Sequence, residues 1–175
     1  MREWFVVGIS LAFIACGGGG GDDGSGDDGG DECSEQSDDC SGESICIDGF
    51  CEATFGREYS ITDVDVEVPT TDSNGDAWDV GGGAPDLMLE IYVNDSLEAT
   101  TAAEQDSFTA FFVGPFNVEL IGGNDLIIAS LDEDLTVNDP AFTCTASPIT
   151  AAMLRGRFLS CSSAGNSMSF TIEPR

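Results

Sequence analysis

Two acidic runs hold the residues best suited to chemistry. The first reads Asp72-Ser-Asn-Gly-Asp76-Ala-Trp78-Asp79-Val-Gly-Gly-Gly-Ala-Pro85-Asp86. The second reads Asp132-Glu133-Asp134-Leu-Thr-Val-Asn138-Asp139-Pro140. Carboxylates at this density are hard oxygen donors, and calcium takes about 6–8 oxygens, which flexible loops can supply. Without a cation the carboxylates would repel one another. A structural reading competes: Asp is a favoured turn residue because its side chain bonds nearby backbone.

Composition narrows the partners. The chain has 33 acids against 5 basic residues and no histidine, a formal net charge of −28. All five basic residues are arginine. Nucleic-acid binding needs a basic face and is excluded. A polybasic membrane patch is excluded for the same reason. The missing histidine removes the commonest general base and transition-metal ligand. Acidic surface also keeps an exported protein soluble, so the charge alone does not identify a site.

The elements that would position the acids read as strands. Val64, Val66 and Val68 alternate with Asp65 and Glu67, and Ile61 precedes them. That is the period-two pattern of a half-buried strand. Leu87 to Val93 is mostly apolar and reads as a buried strand, as does the short Leu126–Ala129 run. Phe108 to Val113 and Phe116 to Leu120 flank Gly114-Pro115, and Met153-Leu154, Phe158-Leu159 and Met168 to Ile172 complete the set. Asp95 to Asp106, with Leu97, Ala99, Ala102 and Ala103, leaves room for one short helix. Seven or eight short strands separated by Gly, Asn, Asp and Pro predict an all-β sandwich, with both acidic runs in its loops.

The segment Pro85-Asp86-Leu-Met-Leu-Glu-Ile-Tyr-Val resembles the C2 family, where an Asp closing the first calcium loop opens a strand. Pro115-Phe116-Asn117-Val118-Glu119-Leu120 is similar to that family's Pro-x-Trp-Asn-Glu segment. Leu126 to Asp134, followed by Asp139, is similar to its strand and third loop. The resemblance implies an eight-stranded antiparallel C2-like β-sandwich over residues 53–175. It implies calcium held by Asp86, Asp132, Asp134 and Asp139, with Asp79 upstream and Asp76 competing for that place. Leu87 where the family has Pro, and Phe116 where it has Trp, mark a distant relative.

Seven cysteines are an odd number for an exported protein. Trp4 to Ala15 is a twelve-residue apolar run after Arg2. It is shorter than the about 20 residues a membrane span needs and has the length of a signal-peptide core. Phe13-Ile14-Ala15-Cys16 resembles the lipobox of bacterial lipoproteins. The resemblance implies that residues 1–15 are removed and Cys16 is lipidated, with Gly17 favouring outer-membrane sorting. An ordinary secretory signal cut near Ala15 is the competing reading. Residues 17–32 hold only Gly, acids and one Ser, so no core can form there. They read, with Cys16, as a flexible linker reaching about 20–24 Å.

Residues 33–52 carry Cys33, Cys40, Cys46 and Cys51. Twenty residues cannot bury a stabilising core, so bridges must hold them, in any of three pairings. A zinc site is the alternative, but only Cys46 and Cys51 have its spacing. The module resembles those that follow the tether in some bacterial, often myxobacterial-type, surface lipoproteins. The last two cysteines then predict a Cys144–Cys161 disulfide. Taken together, the expectation is a lipid-anchored envelope protein that binds calcium and then a protein or glycan partner. A structural shell without an ion is the alternative. A hydrolase using carboxylate pairs has no positive signal, because His, Lys and Gly-x-Ser-x-Gly are all absent.

Overall fold

The computed structural model describes residues 32–34, 39–72, 74–79, 82–134 and 138–175. The signal run, Cys16 and residues 17–31 of the linker lie outside them. Chain order is β1 (Ser44–Ile47), β2 (Phe50–Ala53), β3 (Arg57–Glu67), β4 (Leu87–Val93), β5 (Ser96–Thr100), β6 (Thr109–Phe112), β7 (Phe116–Leu120), β8 (Leu126–Asp132), β9 (Asp139–Ala146), α1 (Ala151–Arg155), β10 (Phe158–Ser163) and β11 (Asn166–Pro174).

Beyond the β1–β2 hairpin, two antiparallel sheets face each other. One has the order β10-β11-β3-β6, with β7 also on β3, and the other the order β5-β4-β8-β9. β6 pairs with Val64–Glu67 and β7 with Arg57–Ile61, so the two occupy one strand position beside β3. The sandwich therefore has eight positions. Between β6 and β7, Gly114 sits at φ +78°, and a Cβ there would meet the Ile61 carbonyl oxygen at 2.6 Å. Only glycine fits so close a backbone approach.

β3 is bulged opposite that break. Thr62 pairs with Thr171 and Asp65 with Ser169, leaving one extra residue in β3. Asp63 sits there at φ +52°. The bulge explains why Tyr59 and Ile61, then Val64 and Val66, all turn inward across a three-residue step. They meet Leu87, Leu89 and Ile91 of β4, Leu126 and Ile128 of β8, and Met168, Phe170 and Ile172 of β11 in one buried cluster. Each such side chain contributes roughly 1.5–3 kcal/mol by leaving water.

Two expectations fail, and one strand was not expected. Asp95–Asp106 is not helical: Asn94 and Asp95 form a positive-φ hairpin turn into β5, and strand pairing overrides the alanines. Met153-Leu154 is not a strand but part of α1, capped by Thr150, whose hydroxyl accepts from the Met153 amide. Residues 139–146 form β9, whose Thr- and Ala-rich sequence lacks the apolar alternation that would reveal it.

Cys33 bonds to Cys46, Cys40 to Cys51, and Cys144 to Cys161. The third bridge joins β9 to β10, the outer strands of the two sheets, and closes that side of the sandwich. The hairpin is not separate from it. Ile45 is fully buried in the shared core cluster, with Ile47 and Phe55 packed against it. The Gly56 amide donates to the Leu120 carbonyl at 2.8 Å. Arg155 donates to the Gly42 carbonyl, Arg157 to that of Cys46 at 2.7 Å, and Arg57 pairs with Glu52 at 2.7 Å. An apolar side chain too large for a four-residue strand pair to bury has found the sandwich core instead.

Candidate metal centre

Strand direction gathers the acids at one end. The β3–β4, β5–β6 and β8–β9 connections all leave the edge where Leu87 pairs with Asp132 and Asp132 with Asp139. Asp132 closes β8 and is only 2% exposed. Its Oδ1 accepts from the Asp86 amide at 2.7 Å. The Asp86 Oδ1 accepts in turn from the Asp106 amide at 2.8 Å, and the Asp86 carbonyl from the Glu133 amide at 2.8 Å. Leu87 and Glu104 exchange two backbone bonds. These bonds fix Asp86 and Asp132 side by side.

Burial pushes the Asp132 carboxyl above the ordinary carboxylate range. The charges of Asp79, Asp134 and Asp86 push it the same way, and the Asp86 amide partly offsets them. Desolvation and like charge each disfavour the anion. Asp79 lies half-buried, folded back so that a Cβ on Gly83 would touch its Oδ2 at 2.9 Å. Asp134 is exposed. Asp139 is also exposed, directly across the ladder from Asp132, as the first residue of β9 rather than a loop residue.

The first acidic run divides its labour. The Asp72 Oδ1 accepts from the Asn74 amide at 2.9 Å and the Asp76 amide at 2.8 Å, so Asp72 builds its own turn. The Asp76 amide, ahead of the other bonds, holds the Asp72 carboxyl below the ordinary range. The Asp76 side chain points to solvent. Trp78 is half-buried against the core, its indole N–H on the Pro69 carbonyl at 2.8 Å.

Among the described residues, no three acids bring carboxylate oxygens within 4.8 Å of one another. The one group that does meet this spacing is Cys33, Cys40 and Cys46, whose sulfurs are spent on disulfides, which removes the zinc alternative. The acidic donor set fits a hard cation on two observations. A buried carboxylate sits among three like charges, and Ser130, on the same inward face of β8, is fully buried with a hydroxyl that meets no protein partner. Sequence reading missed the β5–β6 connection, which brings Glu104 and Asp106 to this end. Recognising β5 as a strand would have revealed it.

No family model and no curated protein matches the sequence. Solved structures match in shape. A C2 domain superposes with TM-score 0.52 at 11% identity, over 67% of this chain and 97% of that one. The fold is C2-like. The calcium-bound tandem C2 domains of extended synaptotagmin 2 match with TM-score 0.50 at 15% identity, over 67% of this chain and 45% of theirs. Human GIVD cytosolic phospholipase A2, with a fluorophosphonate inhibitor and terbium chloride, matches with TM-score 0.54 at 14% identity, over 70% of this chain. This chain spans only 18% of that enzyme. At such identities the likeness establishes the fold alone.

Proposed function

We propose that this chain is a lipid-anchored protein of the bacterial envelope, at the outer membrane, whose C2-like sandwich binds calcium and then a partner without catalysis. One observation carries the ion: Asp132 is buried where Asp79, Asp86 and Asp134 all oppose its charge. The ligand set is Asp86, Asp132, Asp134 and Asp139, with Asp79 folding in from its glycine-rich loop. The likeness in fold to a calcium-bound pair of domains supports this reading.

Cysteine use supports the anchor. The three disulfides take six of the seven cysteines, and Cys16 is the remainder. Mass spectrometry of membrane-extracted protein should find a lipidated Cys16 as the first residue. A soluble chain that keeps residues 1–15, or a bare thiol at Cys16, refutes the anchor. Thermal unfolding with and without millimolar calcium tests the ion. The wild type should rise in calcium, and Asp132→Asn/Asp134→Asn should not. A wild type indifferent to calcium leaves the structural shell as the better reading.

A further inference from the structure

At the end opposite the acidic connections, the β4–β5 turn and the β7–β8 connection enclose a groove of about 250 Å³. Val93, Asn94, Glu98, Glu119, Ile121 and Asn124 line it. Its walls are fastened together. The Asn94 amide donates to the Asp125 carbonyl at 3.0 Å, and the Asp125 amide to the Asn94 Oδ1 at 2.9 Å. The Ile121 amide donates to the Asn124 side chain, and the Ile149 amide to the Asn124 carbonyl at 2.8 Å. The groove is therefore formed in advance of any partner.

Its chemistry is two-sided. Val93 makes an apolar floor, and Ile121 stands on the lip at 57% exposed. Glu98 rises from β5 and Glu119 from β7, on opposite walls. Glu119 also stands directly across the ladder from Glu58. Like charges so placed on a sheet are destabilising. No hydrogen bond or ion pair engages the carboxylates of Glu58, Glu98 or Glu119 among the described residues.

We propose that this groove docks a protein partner through a lysine or arginine side chain flanked by apolar residues. The volume falls below the roughly 300–1,000 Å³ of small-molecule sites and suits one long side chain. Such a side chain lays its methylene stem on apolar surface and keeps its charge at the polar rim. Val93 takes the stem, Glu98 and Glu119 take the charge, and the exposed Ile121 meets a flanking apolar residue. The surface lies away from the acidic connections, so it depends on neither the ion nor the anchor.

The test is an amide NMR titration of the calcium-free protein with acetyl-Leu-Lys-Leu-amide, with acetyl-Leu-Glu-Leu-amide as control. Saturable shifts should centre on Val93, Glu98, Glu119 and Ile121, with none from the control. Glu98→Gln/Glu119→Gln should weaken binding roughly tenfold or more, since charge-assisted contacts are lost. Ile121→Ser should weaken it too, and Asp132→Asn/Asp134→Asn should leave it unchanged. Shifts centred on the acidic connections, shifts spread over the whole surface, equal binding by the double glutamine variant, or no saturable binding would each overturn the proposal. Because the acidic-loop variant reports on the other end, failure here and failure of calcium binding are told apart.

Discussion

The two ends of the sandwich treat charge in opposite ways. At the hairpin end, Arg57, Arg155 and Arg157 are all engaged with the Cys33–Ala53 segment, and the Arg175 amide closes on Glu58. At the other end, Asp79, Asp86, Asp132 and Asp134 gather while all four described arginines belong to the hairpin side. One end spends the chain's own few cations, and two of its covalent bridges, on holding the hairpin. The other buries a carboxylate among three like charges. In a chain of net charge −28, where arginine is placed distinguishes structure from site more sharply than where acid is placed.

The largest effect should come from Ile45→Ala. Truncating a fully buried isoleucine costs about 2–5 kcal/mol. Because Ile45 lies in the shared core, urea unfolding followed at the hairpin and at Trp78 should shift together. A sandwich transition that stays in place would make the hairpin an independent appendage and dissolve the contrast. Next comes calcium, which should add about 2.7 kcal/mol at a hundredfold excess over its dissociation constant. On the proposed envelope location that constant is on the order of 10⁻⁴–10⁻³ M, as for extracellular modules. Magnesium should substitute poorly, because it demands tight octahedral geometry.

How much of this was legible follows from where the information sits. β4 was plain because Leu87, Leu89, Ile91 and Val93 are buried strand residues with no competing pattern. The β6–β7 pair was plain because Gly114-Pro115 punctuates it. β5 was hidden because its alanines also suit a helix, and only pairing with β4 decides the matter. The acids of both runs could be named from sequence. The burial of Asp132 could not, because it arises where the end of β8 lies against the start of β4, next to Asp86, 46 residues away in the chain. Residues 33–52 read as a module held by its bridges alone, and Ile45 carries no mark of a wider role. Nothing local says that it enters a core built by β3, β4 and β11.

A smaller effect tests the acidic end without any ion. The folded state raises the Asp132 pKa above its ordinary 3.8, so the folded state holds that proton more tightly than the unfolded chain. This contribution to stability is fully present below pH 3.8 and is lost as pH rises through the folded value. Asp132→Asn should therefore be firmer than the wild type at neutral pH in EDTA, and the gap should close on acidification. Melting temperatures measured from acid to neutral pH would check it. A gap that is constant or widens on acidification would remove Asp132 as the strained group.

The smallest effect belongs to Glu52→Gln. The Arg57–Glu52 pair has side chains 20% and 49% exposed, and pairs of this kind contribute about 0–1 kcal/mol. A chemical-denaturation midpoint that moves little would place the strength of the hairpin end in Ile45 and the disulfides. A loss above about 2 kcal/mol would return it to the ion pair.

The crossed disulfides also decide how the molecule carries mechanical load. Tension entering upstream of Cys33 passes through its sulfur to Cys46 and reaches β3 without unravelling residues 34–45, which the bond bypasses. β3 begins at the hairpin end and finishes at the acidic end, so a pull between the two acts along its axis. Its hydrogen bonds to β11, β6 and β7 lie across that axis and are loaded together in shear, rather than opened one after another. A chain held at one end and engaged at the other resists extension through its longest strand.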